Sequence, residues 1–396
     1  MRATLASLSL LVLTACGGTS SPTTPADAGA DVVADAPEVL PTAAVTPTGS
    51  LKEARANHTA TLLQDGRVLV VGGEQIATRT PTASIEVWDP KTGQFTKLAD
   101  LPSPIVGHSA TLLADGRVLI AGSGNYTENG VPSGEAVSDA AYLFDPKTNA
   151  ATPTGSMKHK RSHHFAVALG DGKVLVGGGA DAVPGPIAPA LASVEIFDPQ
   201  TGQFTDEATM IEAREQAQAL ALDGDRVLVV SGINTKKGSL GSTEIYDRKT
   251  HAFAAGPPLA DGGRIYHSML RTSDGSVYVL GGVQSSGNGA VFLDSVEVLH
   301  GSTFDIGPLV PKGRNSAPLV EVKGHPVAFG GYAYEIGLSA FFDDVLYLDG
   351  AGWHRLAGLE YGRFGHTATK LADGRVIVIG GSNAKTLNRA EIVSFE

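Results

Sequence analysis

The sequence predicts an all-β protein made of seven similar four-stranded units, and two observations lead to this fold class. Seven apolar runs rich in β-branched residues each end in a pair of small residues, and the second members of these pairs are spaced by 50, 56, 53, 50, 49 and 50 residues. A turn signal and two further strand patterns recur within each unit. A period of about 50 residues with four strands per unit is typical of a β-propeller. The small-residue pairs are Gly72-Gly73, Gly122-Ser123, Gly178-Gly179, Ser231-Gly232, Gly281-Gly282, Gly330-Gly331 and Gly380-Gly381.

The first unit shows how each strand is predicted. Strand a covers His58 to Leu63, and the following Asp65-Gly66 favours a tight hairpin turn because glycine tolerates a positive φ. Strand b, Arg67 to Val71, is almost wholly apolar, as expected of a strand buried on both faces. After a variable loop come strand c, Ser84 to Asp89, and strand d, which opens at Phe95.

The other units repeat these features and indicate a family. The turn recurs at Asp115-Gly116, Asp171-Gly172, Asp223-Gly224, Asp274-Gly275, Lys323-Gly324 and Asp373-Gly374. An aromatic residue opens strand d at Phe204, Phe253, Phe304 and Trp353, whereas unit two has Ala151. The glycine pair, an aromatic residue in strand c and the aromatic start of strand d resemble kelch repeats over residues 45–396. The resemblance implies a seven-bladed kelch-type β-propeller with strand a nearest the axis.

The two ends of the repeat region predict how the ring closes. The last unit ends at Glu396 just after strand c, so it lacks a strand d of its own. The segment Thr46–Leu51 matches Thr152–Met157, the strand d that precedes unit three, and each threonine lies nine residues before the next motif arginine. We therefore expect the N-terminal strand to complete the last blade and remove an open sheet edge.

The first 44 residues predict targeting rather than fold. Leu5–Leu13 is an apolar run too short to cross a bilayer comfortably, and Leu13–Cys16 follows the pattern of a bacterial lipobox with the chain's single cysteine. The resemblance implies a signal peptide over residues 1–15, a lipid on Cys16 and a cell-envelope location, at the outer membrane in a host with two membranes. An ordinary secretory signal is the alternative. The Ser-, Thr-, Pro-, Ala- and Asp-rich remainder of residues 16–44 predicts a disordered tether.

One face of the propeller is expected to carry function. Strand order places the b–c and d–a loops together on that face, and the b–c loops vary most among the units. The longest are Gly124–Asp139, Ala180–Ala192, Val283–Asp294 and Tyr332–Asp343. Rim residues such as Tyr126, Ile187 and Tyr332–Tyr334 would contact a macromolecular partner.

Six units carry an arginine just before strand a, and we consider two roles for it. The arginines are Arg55, Arg161, Arg214, Arg264, Arg314 and Arg363, with Ile105 in unit two. They are candidate ligand-binding residues if they ring the channel mouth, where guanidinium groups would bind a carboxylate, phosphate or acidic peptide. Alternatively, each arginine serves its own blade by pairing with a backbone carbonyl or a strand c glutamate. Those glutamates are Glu86, Glu195, Glu244, Glu297 and Glu391.

A histidine follows three residues after the arginine position in five units. These are His58, His108, His164, His267 and His366, while Ala217 and Ala317 stand in the other two units. Equivalent positions on neighbouring blades lie too far apart for shared metal coordination at about 2.1 Å. We expect hydrogen bonds between blades, a solvated loop for the basic stretch Lys158–Arg161 that precedes the pair His163-His164, and neither a metal site nor a cofactor.

Composition and motifs favour a binding protein. A net charge of −11 argues against nonspecific nucleic-acid binding. No linear catalytic motif is present, so no catalytic residue is assigned, and a lone cysteine at position 16 excludes the Tyr–Cys copper site of galactose-oxidase-like enzymes. We predict a non-catalytic envelope scaffold for a protein, peptide or glycan. The alternative is a carbohydrate-modifying enzyme like the kelch mutarotases that act on periplasmic sialic acid.

Overall fold

Seven four-stranded antiparallel sheets make up the protein, together with three two-stranded ladders. A computed structural model describes residues 39–124, 137–181, 189–286, 289–335 and 337–396, and within these ranges every regular element is a β-strand. Leu40–Glu396 forms one compact unit, in which the sheets are the blades of a seven-bladed β-propeller. The predicted fold class is therefore confirmed. Cys16, Tyr126 and Ile187 lie outside the described residues.

Each blade contributes strands a to d in order from the axis outward. The a strands are Thr59–Leu62, Ser109–Leu112, Phe165–Ala168, Gln218–Ala221, Ser268–Arg271, Leu319–Val322 and Thr367–Lys370. The b strands are Val68–Val71, Val118–Gly124, Val174–Gly177, Arg226–Val230, Val277–Leu280, His325–Glu335 and Val376–Ile379. The c strands are Ile85–Asp89, Val137–Asp145, Ser193–Asp198, Thr243–Asp247, Val296–His300, Leu338–Asp349 and Ala390–Phe395. The d strands of blades 1 to 6 are Gln94–Lys97, Ala150–Pro153, Gln203–Thr209, Ala252–Ala255, Thr303–Ile306 and Gly352–Gly358.

The N-terminal strand Ala43–Pro47 supplies strand d of blade 7. It pairs antiparallel with Ala390–Phe395, and Thr46 lies opposite Ile392. This strand confirms the predicted closure of the ring. The last sheet thereby gains its fourth strand from the other end of the chain, and its outer edge is placed like the edge of every other blade.

Apolar side chains fill the interfaces between neighbouring blades. In the described residues, seven buried clusters each combine strands from two adjacent blades. For example, Leu69 and Val71 of blade 1 pack with Val118 and Ile120 of blade 2. Strand b is buried on both faces because each of its sides contacts a different neighbouring blade, and Val68–Val71 is fully enclosed. This explains the unbroken apolar runs in the sequence.

The paired glycines mark the point where the next blade begins. Gly72 and Gly73 have φ values of 60° and 94°, in the left-handed region that favours glycine. A Cβ atom on Gly72 would lie 2.6 Å from the carbonyl oxygen of Ile105, the residue that leads into blade 2. The Gly73 N–H donates a hydrogen bond to that same oxygen at 2.9 Å. The repeat therefore needs both the backbone conformation and the lack of a side chain.

Several b–c connections project as hairpins from one face, which we call the upper face because it also carries the d–a loops. In three blades the hairpin adds a short ladder of its own. These ladders pair Glu74–Gln75 with Thr80–Pro81, Ile233–Asn234 with Gly238–Ser239, and Val283–Ser286 with Gly289–Phe292. In blade 6 strands b and c themselves extend, to Glu335 and from Leu338. No helix in the described ranges has the length and apolarity required to cross a membrane.

Candidate functional site

The six repeated arginines lie inside the blades. Arg55 is fully buried, and its Nη2 donates to Glu86 Oε1 at 2.7 Å. Its Nη1 donates to the carbonyl oxygens of Gly72 and Ser84, each at 3.0 Å. The Glu86 carboxylate also accepts the Lys52 N–H at 2.8 Å. Arg55 therefore ties the d–a loop to the end of strand b and the start of strand c.

The same buried pair recurs in the other blades that carry the arginine and the glutamate. Arg161 Nη2 lies 2.6 Å from Glu195 Oε1, and Arg214 Nη2 lies 2.8 Å from Glu244 Oε1. The remaining two pairs are Arg264 with Glu297 and Arg363 with Glu391. All of these arginines are 0% exposed, so no guanidinium surface from them reaches the channel mouth. The arrangement corresponds to the interpretation in which the arginine serves its blade, with the strand c glutamates named from the sequence.

Blades 2 and 6 show that arginine and acid act as a pair. Blade 2 has Ile105 for the arginine, and Tyr142 occupies the strand c position of the glutamate, opposite Ile120 of strand b. Blade 6 keeps Arg314 but has Leu346 at the glutamate position, and Asp344 accepts the guanidinium at 2.6 Å instead. Blade 2 has neither the cation nor the anion, and blade 6 has both. A buried charge without a partner is costly, so the two change together.

Three of the five histidines join neighbouring blades, as expected. The Nε2 atoms of His58, His108 and His164 lie 3.1, 3.0 and 2.9 Å from hydroxyl oxygens of the preceding blade. These hydroxyls belong to Thr367, Thr59 and Ser109. Burial lowers the pKa of His108 to about 4, so this imidazole is neutral at physiological pH.

His267 and His366 depart from this pattern. Gln218 and Pro318 occupy the positions where the other blades offer a hydroxyl. Neither ring nitrogen of His267 or His366 has a hydrogen-bond partner, although the side chains are only 3% and 5% exposed. Both histidines line the central channel. The blade-to-blade links are therefore interrupted on one side of the channel.

The seven residues that lie two positions after each arginine position form a ring around the channel mouth. We call this set the mouth ring. Its members are Asn57, Gly107, His163, Gln216, Tyr266, Ser316 and Gly365. The five that are not glycine have φ values between 51° and 56°. A left-handed conformation is uncommon outside glycine and is an outlier for a residue as bulky as tyrosine. The sequence does not predict this ring, and it singles out His163 only as a member of the pair His163-His164.

Backbone hydrogen bonds between successive blades hold the mouth ring in place. The N–H of Asn57 donates to the carbonyl of Gly365 at 2.7 Å, and that of His163 donates to Gly107 at 2.8 Å. Those of Gln216 and Ser316 donate to His163 and Tyr266 at 3.0 and 2.9 Å. The backbone thus supplies the shared geometry, and the side chains are left to differ among blades.

Beneath the mouth ring lies a polar cavity of about 540 Å³ in the central channel. Tyr266 and Ser316 of the mouth ring line it, together with Gln218, His267 and Thr367 from the inner strands. A concave site with hydroxyl, amide and imidazole groups and an aromatic ring at its rim is a plausible chemical setting for a small polar group.

Two buried carboxylates adjoin the mouth ring, because Glu215 directly precedes Gln216 and Glu74 is hydrogen-bonded to Asn57. Glu215 is 4% exposed, burial raises its pKa to about 7, and within the described ranges no Lys, Arg or His forms an ion pair with it. Glu74 is 2% exposed; its Oε1 accepts Asn57 Nδ2 at 2.9 Å, and its Oε2 has no partner. Burial raises the pKa of Tyr266, and the charges of Glu215 and Glu74 raise it further. Tyr266 therefore lies within electrostatic range of both acids.

An aromatic cluster lies on the upper face beside the mouth, which we call the aromatic ridge. Tyr332 packs against Phe292, Phe341 and Phe364 with ring centroids 5.7, 5.4 and 5.2 Å apart. These residues come from the hairpins of blades 5 and 6 and from the start of blade 7. Three apolar side chains on the same hairpins remain exposed. They are Val291 at 48%, Tyr334 at 51% and Leu338 at 74%.

Comparison with known proteins agrees with the repeat analysis. The family described as Kelch motif matches residues 54–102 and 161–211, which fall in blades 1 and 3. The chain carries kelch motifs. Beta-scruin of Limulus polyphemus is 30% identical over 201 residues, which is 50% of this chain and 21% of Beta-scruin. The matched part of this chain thus spans about a fifth of that relative's length.

Solved structures share the propeller fold of this chain. "Structure of YjhT" matches 77% of this chain and 98% of that chain, with a TM-score of 0.59 and 14% identity. A structure titled as a fungal alcohol oxidase of the AA5 family in complex with copper matches 89% of this chain and 75% of that chain, with a TM-score of 0.65 and 15% identity. At such identities the likeness shows the fold alone. In the described part of this chain, no three His, Cys, Asp or Glu side chains converge as metal ligands.

Proposed function

We propose that this chain is a kelch propeller tethered to the bacterial cell envelope through a lipid on Cys16, where it acts as a non-catalytic scaffold that binds a partner protein. The partner contacts the upper face along the aromatic ridge. The tether rests on the lipobox pattern of residues 13–16. The binding role rests on the aromatic ridge and on the kelch motifs matched in blades 1 and 3.

The observation that carries this proposal is the combination of a packed aromatic base with exposed apolar tips. Phe341 and Phe364 stack at 5.9 Å beneath the blade 6 hairpin, so the base is rigid. Leu338 and Tyr334 stand at the end of that hairpin and are 74% and 51% exposed. Exposed apolar side chains grouped on rigid hairpins are a common feature of protein–protein interfaces, where aromatic residues dominate the binding energy.

The position of the arginines favours the scaffold over the enzyme alternative. A carbohydrate-modifying site of the kind considered from the sequence would need a carboxylate or histidine facing a cluster of exposed guanidinium groups. Arg161, Arg264 and Arg363 are instead buried in ion pairs within their blades. Exposed apolar side chains of the ridge hairpins, Tyr334 and Leu338, lie on the upper face instead.

Co-purification after cross-linking in intact host cells tests the binding role. The wild-type chain is compared with a variant carrying Tyr334→Ser and Leu338→Ser, and with Ile306→Ser as the matched control. Ile306 is 49% exposed on the outer strand of blade 5 and belongs to no b–c hairpin. We expect the hairpin variant to lose at least 10-fold of a captured partner that the control retains. Equal capture by all three proteins would contradict the proposal.

Membrane fractionation tests the tether separately. Replacing Cys16 by Ser removes the thiol that would carry the lipid, so we expect the variant to shift from the membrane fraction to the soluble fraction. A wild-type chain that takes up no labelled fatty acid, or a Cys16→Ser variant that stays with the membranes, would contradict lipid anchoring.

A further inference from the structure

The channel mouth contains buried hydrogen-bond acceptors that lack donors. The Glu215 carboxylate is enclosed and forms no ion pair within the described ranges. Glu74 Oε2 and the amide oxygen of Gln216 are buried and have no hydrogen-bond partner. Buried polar atoms are nearly always satisfied in folded proteins, so orphaned acceptors at the rim of a cavity indicate a missing donor.

No cationic side chain of the described b–c hairpins pairs with Glu215; in the hairpin of its own blade, Lys237 pairs with Glu212 instead. Residues 125–136 and 182–188 belong to the connections of blades 2 and 3, and neither segment contains Lys, Arg or His. Arg79 of the blade 1 hairpin lies 3.5 Å from Glu74 Oε1 and is more than half exposed. Glu215 has no equivalent of Arg79 among the described residues.

We propose that the channel mouth receives an arginine side chain of the partner, whose guanidinium group lies against Tyr266 and pairs with Glu215. This inference rests on the proposed function, because it names the chemistry that the partner brings to the upper face. A guanidinium group offers five N–H donors and no acceptor, which suits the orphaned oxygens of Glu74 and Gln216 and the carboxylate of Glu215.

Tyr266 is placed to position the incoming cation. It is half-exposed, lines the cavity, and belongs to the same mouth ring as Gln216, the residue that directly follows Glu215. A guanidinium group stacks favourably on a tyrosine ring when the two are brought together. Burial without a partner holds the pKa of Glu215 near 7, and a bound cation would restore the ionised carboxylate.

Isothermal titration calorimetry on the purified full chain tests the proposal with two nearly isosteric probes. N-acetylarginine amide carries the guanidinium charge, and N-acetylcitrulline amide replaces that group by a neutral urea. At pH 8 we expect the arginine probe to bind about 10- to 100-fold more tightly than the citrulline probe, as a charge-assisted hydrogen-bonded pair provides. Equal affinities, or no binding of the arginine probe, would overturn the proposal.

Two variants assign the binding to Glu215. Glu215→Gln keeps the shape of the side chain and removes its charge, so it should lose most of the preference for the arginine probe. Glu360→Gln neutralises an exposed acid on the same face and should bind like wild type. Thermal unfolding of each variant shows that it is folded. Unchanged affinity in a folded Glu215→Gln variant would overturn the assignment.

The failure of this inference and the failure of the proposed function give different results. If the partner is captured through Tyr334 and Leu338 but Glu215→Gln captures it equally well, only the arginine site is wrong. If the arginine probe binds at Glu215 but the Tyr334→Ser and Leu338→Ser variant loses no partner, only the ridge as the docking surface is wrong.

Discussion

The blade interior and the channel mouth are formed by residues only two positions apart in the chain, yet these residues differ in charge pairing and in backbone conformation. Arg214 is fully buried, and its charge is neutralised by Glu244 at 2.8 Å. The next residue, Glu215, is almost as deeply buried and has no ion-pair partner in the described part of the chain. Gln216 then has a left-handed backbone conformation at the mouth. The charge of the repeated arginine is balanced within its blade, whereas Glu215, which breaks the repeat, has no balancing charge in the described part of the mouth.

This difference indicates which residues of a repeat protein serve its function and which serve its fold. A residue present in nearly every blade solves a problem that every blade has, such as joining the d–a loop to strands b and c. The mouth ring has a shared backbone and different side chains, so no requirement of the blade explains its chemistry. Polar groups left unpaired in a folded protein reduce its stability, and such groups are concentrated at functional sites.

The largest expected effect is the removal of an interior arginine. Arg161→Ala leaves Glu195 buried without its cation, so the free energy of unfolding should fall by about 3–5 kcal/mol. Arg375→Ala, which breaks the half-exposed pair with Asp373, should cost no more than about 1 kcal/mol. Urea unfolding of both variants provides the measurement. A folded Arg161→Ala protein of wild-type stability would contradict the structural role.

Blade 2 supplies a sharper version of that test. It already has Ile105 and Tyr142 where blade 3 has Arg161 and Glu195. The double variant Arg161→Ile with Glu195→Tyr should therefore be more stable than Arg161→Ile alone by roughly 2 kcal/mol, because no charge remains buried. The comparison is read from urea midpoints. A double variant less stable than the single one would show that blade 2 tolerates the change for reasons of its own.

At the channel mouth, removing a buried charge should stabilise the protein instead of destabilising it. The folded-state pKa of Glu215 is raised to about 7 from an ordinary value of 4.5, so the folded protein holds the proton more tightly and loses stability as pH rises between these values. Glu215→Gln should unfold at higher temperature than wild type at pH 8, by the equivalent of about 1–2 kcal/mol after allowance for solvent screening. At pH 4 the two proteins should unfold alike. A wild-type protein that is the more stable one at pH 8 would contradict the unpaired state of Glu215.

The smallest expected loss of stability comes from removing a hydrogen bond between the inner strands of neighbouring blades. Thr59→Val removes the hydroxyl that meets His108 Nε2 at 3.0 Å, and we expect a loss of about 1 kcal/mol. Ser268→Ala is the matched control, because blade 6 has Ala317 in place of the histidine. Thermal unfolding of the two variants should therefore differ. Equal losses would mean that the hydroxyls matter for another reason.

Much of the fold could be predicted because its determinants are local and repeated. Gly72 and Gly73 mark strand b, and the predicted strand a, His58 to Leu63, is observed as Thr59–Leu62. The ring closure followed from a short match that places Thr46 in a strand d. Regular spacing carries this information because each blade imposes the same steric and hydrogen-bonding demands.

The site could be predicted only in part. The glutamate partners of the arginines were visible as repeats, but Asp344 was not, because in blade 6 the acid lies two residues earlier on strand c. Glu215 and Tyr266 carry no repeat signal, and their proximity depends on how blades 4 and 5 meet at the axis. The stacking of Tyr332, Phe341 and Phe364 likewise joins residues of two blades.

The measurement that tests the central claim most directly is site-specific photo-cross-linking in intact cells. A photoreactive phenylalanine analogue would replace Tyr334 on the ridge hairpin in one protein and Lys91, in the c–d turn of the opposite face, in another. We predict a discrete cross-linked partner from position 334 that disappears when Leu338→Ser is added, and none from position 91. A partner captured from position 91 alone would contradict the assignment of binding to the non-repeating residues of the upper face.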